Sequence, residues 1–184
     1  ATVLEGIKGR VLLRVWRDFY GPMSDRFSKA DPKRRVKWVG PDMSVRSSIT
    51  ARLMETWSHG QAAFDLLGAE RQDTDRIKNV AVLGVNTFGW TFVNRDEDVP
   101  EPKPHVRLAG PSGEVWEWNN PSKVERIEGS AVEFCQVVTQ TRSIGDTALN
   151  VTGAVASKWM DVAQCFAGPP RMPPATGTRH MANS

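Results

Sequence analysis

Residues 44–67 read SVRSSITARLMETWSHGQAAFDLL. Apolar side chains recur in this stretch every three or four residues, which is the spacing of one face of an α-helix. Ser44, or Asp42 just before it, can cap the first turn, and Gly68 can end the helix. The pattern predicts a long helix whose apolar stripe needs partner helices. The stripe consists of Ile49, Leu53, Trp57, Gly60, Phe64 and Leu67.

Two more helical patterns flank this one. The same spacing predicts a first helix over about residues 2–27 and a third over about residues 74–94. Between the first two helices, two X-Pro pairs in residues 28–41 indicate a loop around a short extended piece, residues 36–39. Three helices joined by short connections favour an up-and-down bundle over residues 1–95.

The second half of the chain has a different period. Residues 96–104 contain three prolines and several acids and are interpreted as a linker. Alternating patterns in residues 105–168 then indicate a small mixed α+β domain, and the Pro-rich residues 169–184 are typical of a disordered tail. Helices followed by a small sheet favour the α+β class over a parallel α/β fold. The predicted strands lie near residues 106–108, 115–118, 124–127 and 147–152, and the predicted helices at 130–141 and 154–166.

Composition places the chain among ordinary globular proteins. It has 184 residues, of which 40% are hydrophobic and 24% charged. The net charge of +3 and one weak basic cluster, residues 33–37, do not favour nucleic acid as a partner. No apolar run is long enough for a membrane span and no signal peptide opens the chain, so we expect no membrane partner and a cytoplasmic location. Cys135 and Cys165 lack a CxxC spacing, which predicts buried free thiols.

The pair Glu55 and His59 is the best candidate for chemistry. Residues four apart on a helix share a face, so the two side chains can offer one oxygen and one nitrogen to the same ion. That donor set suits zinc and neighbouring divalent metals. The competing interpretation is a weak surface ion pair, because the two residues project away from the apolar stripe. If the site binds metal, both side chains should face a cavity near the second domain.

The remaining histidines and the tryptophans are weaker candidates. His105 begins a predicted strand and His180 lies in the predicted tail, so we expect both to be exposed to solvent. The seven tryptophans could line an apolar pocket, but core packing explains most of them equally well. The chain shows no Gly-rich phosphate loop and no Ser/His/Asp arrangement, which lowers the support for nucleotide binding and serine hydrolysis.

Several motifs of the chain resemble a known family. Residues 40–44, GPDMS, and residues 51–61, ARLMETWSHGQ, resemble the metal-binding helix of the mycothiol-dependent maleylpyruvate isomerase-like proteins, within the DinB-like superfamily. The motifs AGPSG at 109–113, FCQVVTQ at 134–140 and AQCFAGPP at 163–170 resemble the C-terminal half of one metal-binding branch. The motifs occur in the same order as in that branch.

The resemblance implies a DinB-like, incomplete four-helix bundle that binds metal, followed by a small α+β domain. It also implies Glu55 and His59 as two of three protein ligands to Zn²⁺ or another divalent metal. The third ligand of the family is a histidine ahead of anything in this sequence, so we expect an N-terminally shortened chain. In such proteins the ion activates the sulfur of mycothiol, and Arg142 is the nearest match to an arginine associated with substrate binding or catalysis. A cation at a helix C-terminus is also ordinary helix electrostatics.

The leading hypothesis is a divalent-metal-binding, thiol (mycothiol)-dependent transferase or isomerase. Its partners would be a small-molecule substrate and a low-molecular-weight thiol. The alternative is a non-catalytic module of the same fold that binds metal or a ligand, or forms a homodimer. A third interpretation is a structural remnant without activity.

Overall fold

A computed structural model gives the structure of residues 6–37 and 42–180. The chain divides into two compact units, residues 1–49 and residues 50–184. They are called the first and the second unit below. In the described residues, no helix is both long and apolar enough to cross a membrane.

The first unit contains a helix and a small strand pair. Helix α1 spans Gly9–Ser28, and strands β1 (Arg35–Val36) and β2 (Met43–Ser44) pair antiparallel before helix α2 begins at Val45. Helix α1 begins at Gly9, later than predicted, and Gly6 ahead of it has a φ angle of 81°, outside the helical region. The start of the predicted first helix, residues 2–5, and residues 38–41 of the predicted loop lie outside the described residues.

The second unit combines helices with a mixed sheet. Its sheet consists of β3 (His105–Ala109), β4 (Val115–Trp118), β5 (Arg126–Ser130) and β6 (Asn150–Thr152). The strand order is β4-β3-β5-β6, in which β3 and β5 are parallel and the other pairs antiparallel. The α+β class is confirmed, with N-terminal helices followed by a small mixed sheet and its helices. The remaining elements are α2 to its end (Val45–Leu66), a 3-10 helix (Asp75–Ile77), α3 (Lys78–Asn86), α4 (Phe88–Val93), α5 (Ala131–Val138), a second 3-10 helix (Ile144–Asp146) and α6 (Ala154–Val162).

The predicted third helix is divided at Thr87. The Thr87 hydroxyl donates to the carbonyl oxygens of Leu83 at 2.8 Å and Gly84 at 3.0 Å. Such bonds to the preceding turn bend helices. The chain therefore continues as two shorter helices, α3 and α4.

Helices α3 and α5 pack closely in the core of the second unit. A Cβ atom on Gly84 would lie 2.8 Å from Cγ2 of Val138 and 3.1 Å from Cε1 of Phe134, so only glycine permits this approach. The structure thus groups α3 and α4 with the sheet. The sequence-based prediction placed α3 and α4 in the helical bundle of residues 1–95, ahead of the linker and the α+β domain that begins at residue 105.

Helix α5 begins at the cap that the sequence predicts. The Ser130 hydroxyl accepts a hydrogen bond from the backbone N–H of Glu133 at 3.5 Å. The Glu133 carboxylate accepts instead from the backbone N–H of Ala148 at 3.1 Å. The glutamate therefore ties α5 to the segment before β6 and does not complete a capping box.

Both cysteines are free and buried, as predicted. Burial raises the pKa of the Cys165 thiol to about 12 and raises the pKa of Cys135 well above its usual value. Neither thiol is therefore a nucleophile near neutral pH. Cys165 lies beyond the end of α6 and not inside a helix.

Candidate functional site

A cavity of about 870 Å³ lies within the second unit. One wall is the face of α2 from Met54 to Asp65, and a second is residues 139–141, which follow α5. The third wall is formed by residues between Phe166 and His180, here called the C-terminal segment. The cavity is therefore bounded by a helix, a turn and an irregular segment of the same unit.

Glu55 and His59 both line this cavity. Both residues are also exposed to solvent, so the cavity is open on their side. Within the described residues, neither side chain makes a hydrogen bond or an ion pair, with its partner on the helix or with any other group. The weak ion pair that the sequence left as an alternative is absent from the structure.

The two side chains fit a divalent metal in donor type but not in number. A carboxylate oxygen and an imidazole nitrogen are ordinary zinc ligands. The part of the chain that the structure describes contains no group of three His, Cys, Asp or Glu side chains that could hold a metal ion. An ion held by Glu55 and His59 would therefore keep open coordination positions.

Arg142 is held by Asp65 on the last turns of α2. Its Nη1 donates to Oδ2 of Asp65 at 2.8 Å and its Nη2 to Oδ1 at 2.6 Å. The two side chains are only 11% and 15% exposed. Burial raises the pKa of the Asp65 carboxyl, but hydrogen bonds from Arg142 and Gln61 and the charge of Arg142 outweigh it and lower the pKa. Asp65 lines the cavity, whereas Arg142 supports it from behind.

Gln61 is one of the buried polar residues of the cavity wall. It is 7% exposed, and its Nε2 donates to Oδ1 of Asp65 at 3.0 Å. Its Oε1 is buried and accepts no hydrogen bond. Neither Gln61 nor Asp65 was predicted from the sequence as a site residue. Their spacing of four residues, on the helix that carries Glu55, was the available signal.

The C-terminal segment contributes basic side chains to its wall of the cavity. Arg171, Arg179 and His180 all line the cavity. Arg179 donates to the backbone carbonyl of Gln140 at 3.2 Å. The Arg171 guanidinium has no partner among the residues that the structure describes. One wall of the cavity, on α2, thus carries Glu55, and the wall formed by the C-terminal segment carries positive charge.

The C-terminal segment is held in place by its backbone. The backbone N–H of Arg171 donates to Oε1 of Gln164 at 2.9 Å, and its carbonyl accepts from Nε2 of Gln140 at 3.0 Å. The composition of residues 169–184 predicted a disordered tail. Residues 169–180 carry these bonds in the structure, and the last four residues lie outside the described part.

His105 and the tryptophans of the described residues do not line the cavity. His105 is 8% exposed, and its Nε2 lies 3.7 Å from Oε2 of Glu117. The expectation that His105 is exposed to solvent is therefore wrong. Trp116 and Trp159 are buried in the core, and no tryptophan of the described residues lines the cavity. Trp38 lies outside the described residues.

Residues 4–64 match the family described as the mycothiol maleylpyruvate isomerase N-terminal domain. This match over the N-terminal third of the chain supports a DinB-like, mycothiol isomerase-type family. The matched residues include Glu55 and His59 and end just before Asp65. The resemblance that the motifs at 40–44 and 51–61 indicated is confirmed, and the match does not extend to the motifs between residues 109 and 170.

Two proteins of Mycobacterium tuberculosis are similar over most of the chain. They are the uncharacterized proteins MT0041 of strain CDC 1551 and Rv0036c of strain H37Rv. Each is 39% identical over 170 residues, which is 92% of this chain and 66% of the relative. The chain thus spans slightly less than two thirds of the length of these relatives. No solved structure matches the chain.

Proposed function

We propose that this chain binds a divalent metal through Glu55 and His59 and serves a mycothiol-dependent transferase or isomerase reaction on a small molecule. The observation that carries the proposal is that both side chains line one open cavity and have no other partner in the described residues. The family supports the thiol, because its description names mycothiol.

Glu55 would supply one carboxylate oxygen and His59 one ring nitrogen. Zinc is the first candidate because it accepts both donor types, and catalytic zinc sites keep a position open for water or substrate. A bound divalent ion would lower the pKa of a coordinated thiol, which makes the thiol a nucleophile at neutral pH. The open side of the cavity gives a thiol and a substrate access to this position.

The other cavity residues would bind and orient the ligand. Arg171 offers an unpaired positive charge to an anionic group. The family resemblance implied instead a role for Arg142 in substrate binding or catalysis. Because both terminal nitrogens of Arg142 are taken by Asp65, we propose that Arg142 acts as a positioning residue and holds Asp65 in the wall.

Metal binding is tested by titrating zinc into the metal-free chain by calorimetry. Removing a residue that only hydrogen-bonds to a metal ligand weakens metal affinity by roughly 10- to 100-fold. Glu55→Ala and His59→Ala remove the ligands themselves, so each should weaken zinc affinity by at least that factor. Both residues are exposed, so the substitutions should leave the fold intact. Glu70→Ala is the matched control, because Glu70 is exposed and lies outside the cavity. Equal zinc affinity in all four proteins contradicts the proposal.

Thiol binding is tested with the cobalt(II)-loaded chain. Addition of mycothiol should produce a sulfur-to-cobalt absorption band in the near ultraviolet, and the two alanine variants should lack it. A band of equal strength in the variants would place the thiol elsewhere.

A non-catalytic metal- or ligand-binding module is the second candidate. The lack of a third metal-binding side chain in the described residues favours it, since catalytic zinc sites have three protein ligands. The two candidates differ in turnover. If zinc and mycothiol both bind but maleylpyruvate is not isomerised, the module is favoured.

A further inference from the structure

We propose that the end of the cavity at Asp65 is an anion subsite, in which Arg179 binds a carboxylate or phosphate group of the ligand. The inference rests on the proposed function, because it concerns the same cavity. It adds where the charged end of the ligand lies and how far that end is from Glu55 and His59. Three features carry it: a guanidinium held by the fold, positive charge without a counter-charge, and the length of α2.

The contacts of residues 139–141, the turn after α5, place the Arg179 guanidinium at the Asp65 end of the cavity. Arg142 follows this turn directly and binds Asp65 through hydrogen bonds of 2.8 Å and 2.6 Å. Nη1 of Arg179 donates to the carbonyl oxygen of Gln140, in the same turn, at 3.2 Å. Arg179, Gln140 and Asp65 all line the cavity. The guanidinium is therefore joined to the turn that packs against the end of α2.

The Arg179 guanidinium is held in place but keeps free donors. Its contact with Gln140 lies near the C-terminal end of α5, where the helix dipole favours a cation. A guanidinium has five N–H donors, and the bond to Gln140 is the one hydrogen bond that Arg179 makes within the described ranges. Arg179 is also exposed to solvent. Its remaining donors are thus available to an anionic group, which a guanidinium can bind through two parallel hydrogen bonds.

The same end of the cavity carries positive charge without a counter-charge. Among the described residues, the acids that line the cavity are Glu55 and Asp65, and Arg142 already neutralises Asp65. Burial raises the pKa of the Asp65 carboxyl, and the charge of His180 is among the influences that outweigh burial and lower it. His180 and Arg179 therefore both act at this end. A cleft with an excess of one charge attracts ligands of the other sign.

The length of α2 sets the distance from this subsite to the proposed metal ligands. Asp65 follows Glu55 by ten positions and His59 by six, which at 1.5 Å per residue is about 15 Å and about 9 Å along the helix axis. A group bound at Arg179 therefore lies roughly 9–15 Å from an ion held by Glu55 and His59. The ligand class is an extended small molecule with a metal-binding atom at one end and an anionic group at the other.

The first test uses the metal-free chain, so that its result does not depend on zinc. Butyrate and butyl phosphate are titrated separately, and binding is followed by NMR of the backbone amides. We expect Arg179→Met to weaken the tighter of the two compounds about tenfold, and that compound identifies the anionic group. Arg107→Met is the matched control, because Arg107 is 47% exposed and lies outside the cavity.

Three results of this titration overturn the inference. The first is that neither compound binds, and the second is equal affinity in the wild type and in Arg179→Met. The third is a loss of affinity in Arg171→Met alone. The anionic group would then lie at Arg171, so the proposed function would stand without a subsite at Arg179.

The second test measures the distance in the cobalt(II)-loaded chain. Mercaptoalkanoic acids of increasing length carry a thiol for the ion and a carboxylate for Arg179, and mercaptoalcohols of the same length are neutral controls. The acids should bind more tightly than the alcohols only when the sulfur-to-carboxylate distance reaches about 9 Å, and Arg179→Met should remove the difference. A preference for the acids that does not change with length overturns the assigned distance. If no thiol gives a sulfur-to-cobalt band, the proposed metal site has failed, and the metal-free titration still decides the inference.

Discussion

Replacing Arg142 by methionine should destabilise the second unit strongly. The change leaves the Asp65 carboxylate, which is only 15% exposed, with Gln61 as its remaining donor. Breaking one side of a buried pair typically costs about 3–5 kcal/mol, and the residual exposure places this pair at the lower end. The expected loss is therefore about 3 kcal/mol in the free energy of unfolding.

A double-mutant cycle isolates the interaction itself. Hydrogen bonds to charged groups contribute about 1.5–3 kcal/mol each, and desolvation offsets part of that, so Asp65→Asn and Arg142→Met should couple by about 2–3 kcal/mol. The control is the pair Arg107 and Glu117, whose side chains are 47% and 48% exposed and whose coupling should stay below about 1 kcal/mol. Urea unfolding followed by tryptophan fluorescence gives all the values.

The result that refutes this reasoning is a coupling for Asp65 and Arg142 no larger than that of the control pair. The two charges would then contribute no more than a solvated surface contact. The Arg142→Met variant alone could not decide this, because lost packing of its side chain also lowers stability.

The same pair predicts the pH dependence of stability. The pKa of Asp65 is lower in the folded chain than its unfolded value of roughly 3.9. Its contribution is therefore complete above the unfolded pKa and is lost as pH falls through the folded pKa. The measured coupling should be the same at pH 7 and pH 6 and should shrink at pH 3. A coupling that persists unchanged at pH 3 contradicts the assignment.

Three further predictions concern the core and the reactivity of the chain. Gly110→Ala should cost about 1–3 kcal/mol in urea unfolding, because its Cβ would lie 2.5 Å from Cζ2 of the buried Trp116. Gly21→Ala is its control, since a Cβ there meets nothing within 4 Å. Ser130→Ala should cost only about 0.5–1 kcal/mol, because its capping bond is long at 3.5 Å. A thiol reagent at pH 8 should label neither cysteine of the folded chain and both after unfolding in urea. Rapid labelling of the native protein would contradict their burial.

The sequence correctly predicted those helices and strands whose local apolar pattern matches the way they pack in the structure. Helix α2 spans Val45–Leu66 against the predicted residues 44–67, and β4 spans Val115–Trp118 as predicted. The third helix was predicted as one because its apolar spacing continues across Thr87. Nothing in that spacing reveals the hydroxyl bonds that divide it.

The candidate site was predictable only in part. The spacing of Glu55 and His59 placed them on one face of α2, and the structure places both on the wall of one cavity. The opposite wall, with Arg171, could not be predicted, because residues 169–180 have no periodic pattern. Their position depends on hydrogen bonds from distant side chains, such as that from Gln140.

The role of Arg142 depends on its contact with Asp65, which cannot be predicted from the sequence. It lies 77 residues from Asp65, and no local pattern links the two. The family resemblance implied a role for Arg142 in substrate binding or catalysis. In the structure, the Asp65 carboxylate binds the Arg142 guanidinium. For this reason we propose that Arg142 positions Asp65 and does not bind the substrate itself.

The most direct measurement is an anomalous diffraction map from a crystal of the chain soaked in zinc. The proposal predicts a zinc peak at about 2.0–2.2 Å from a carboxylate oxygen of Glu55 and a ring nitrogen of His59. A map with no peak between these two side chains, at a zinc concentration that fills other sites, would contradict it.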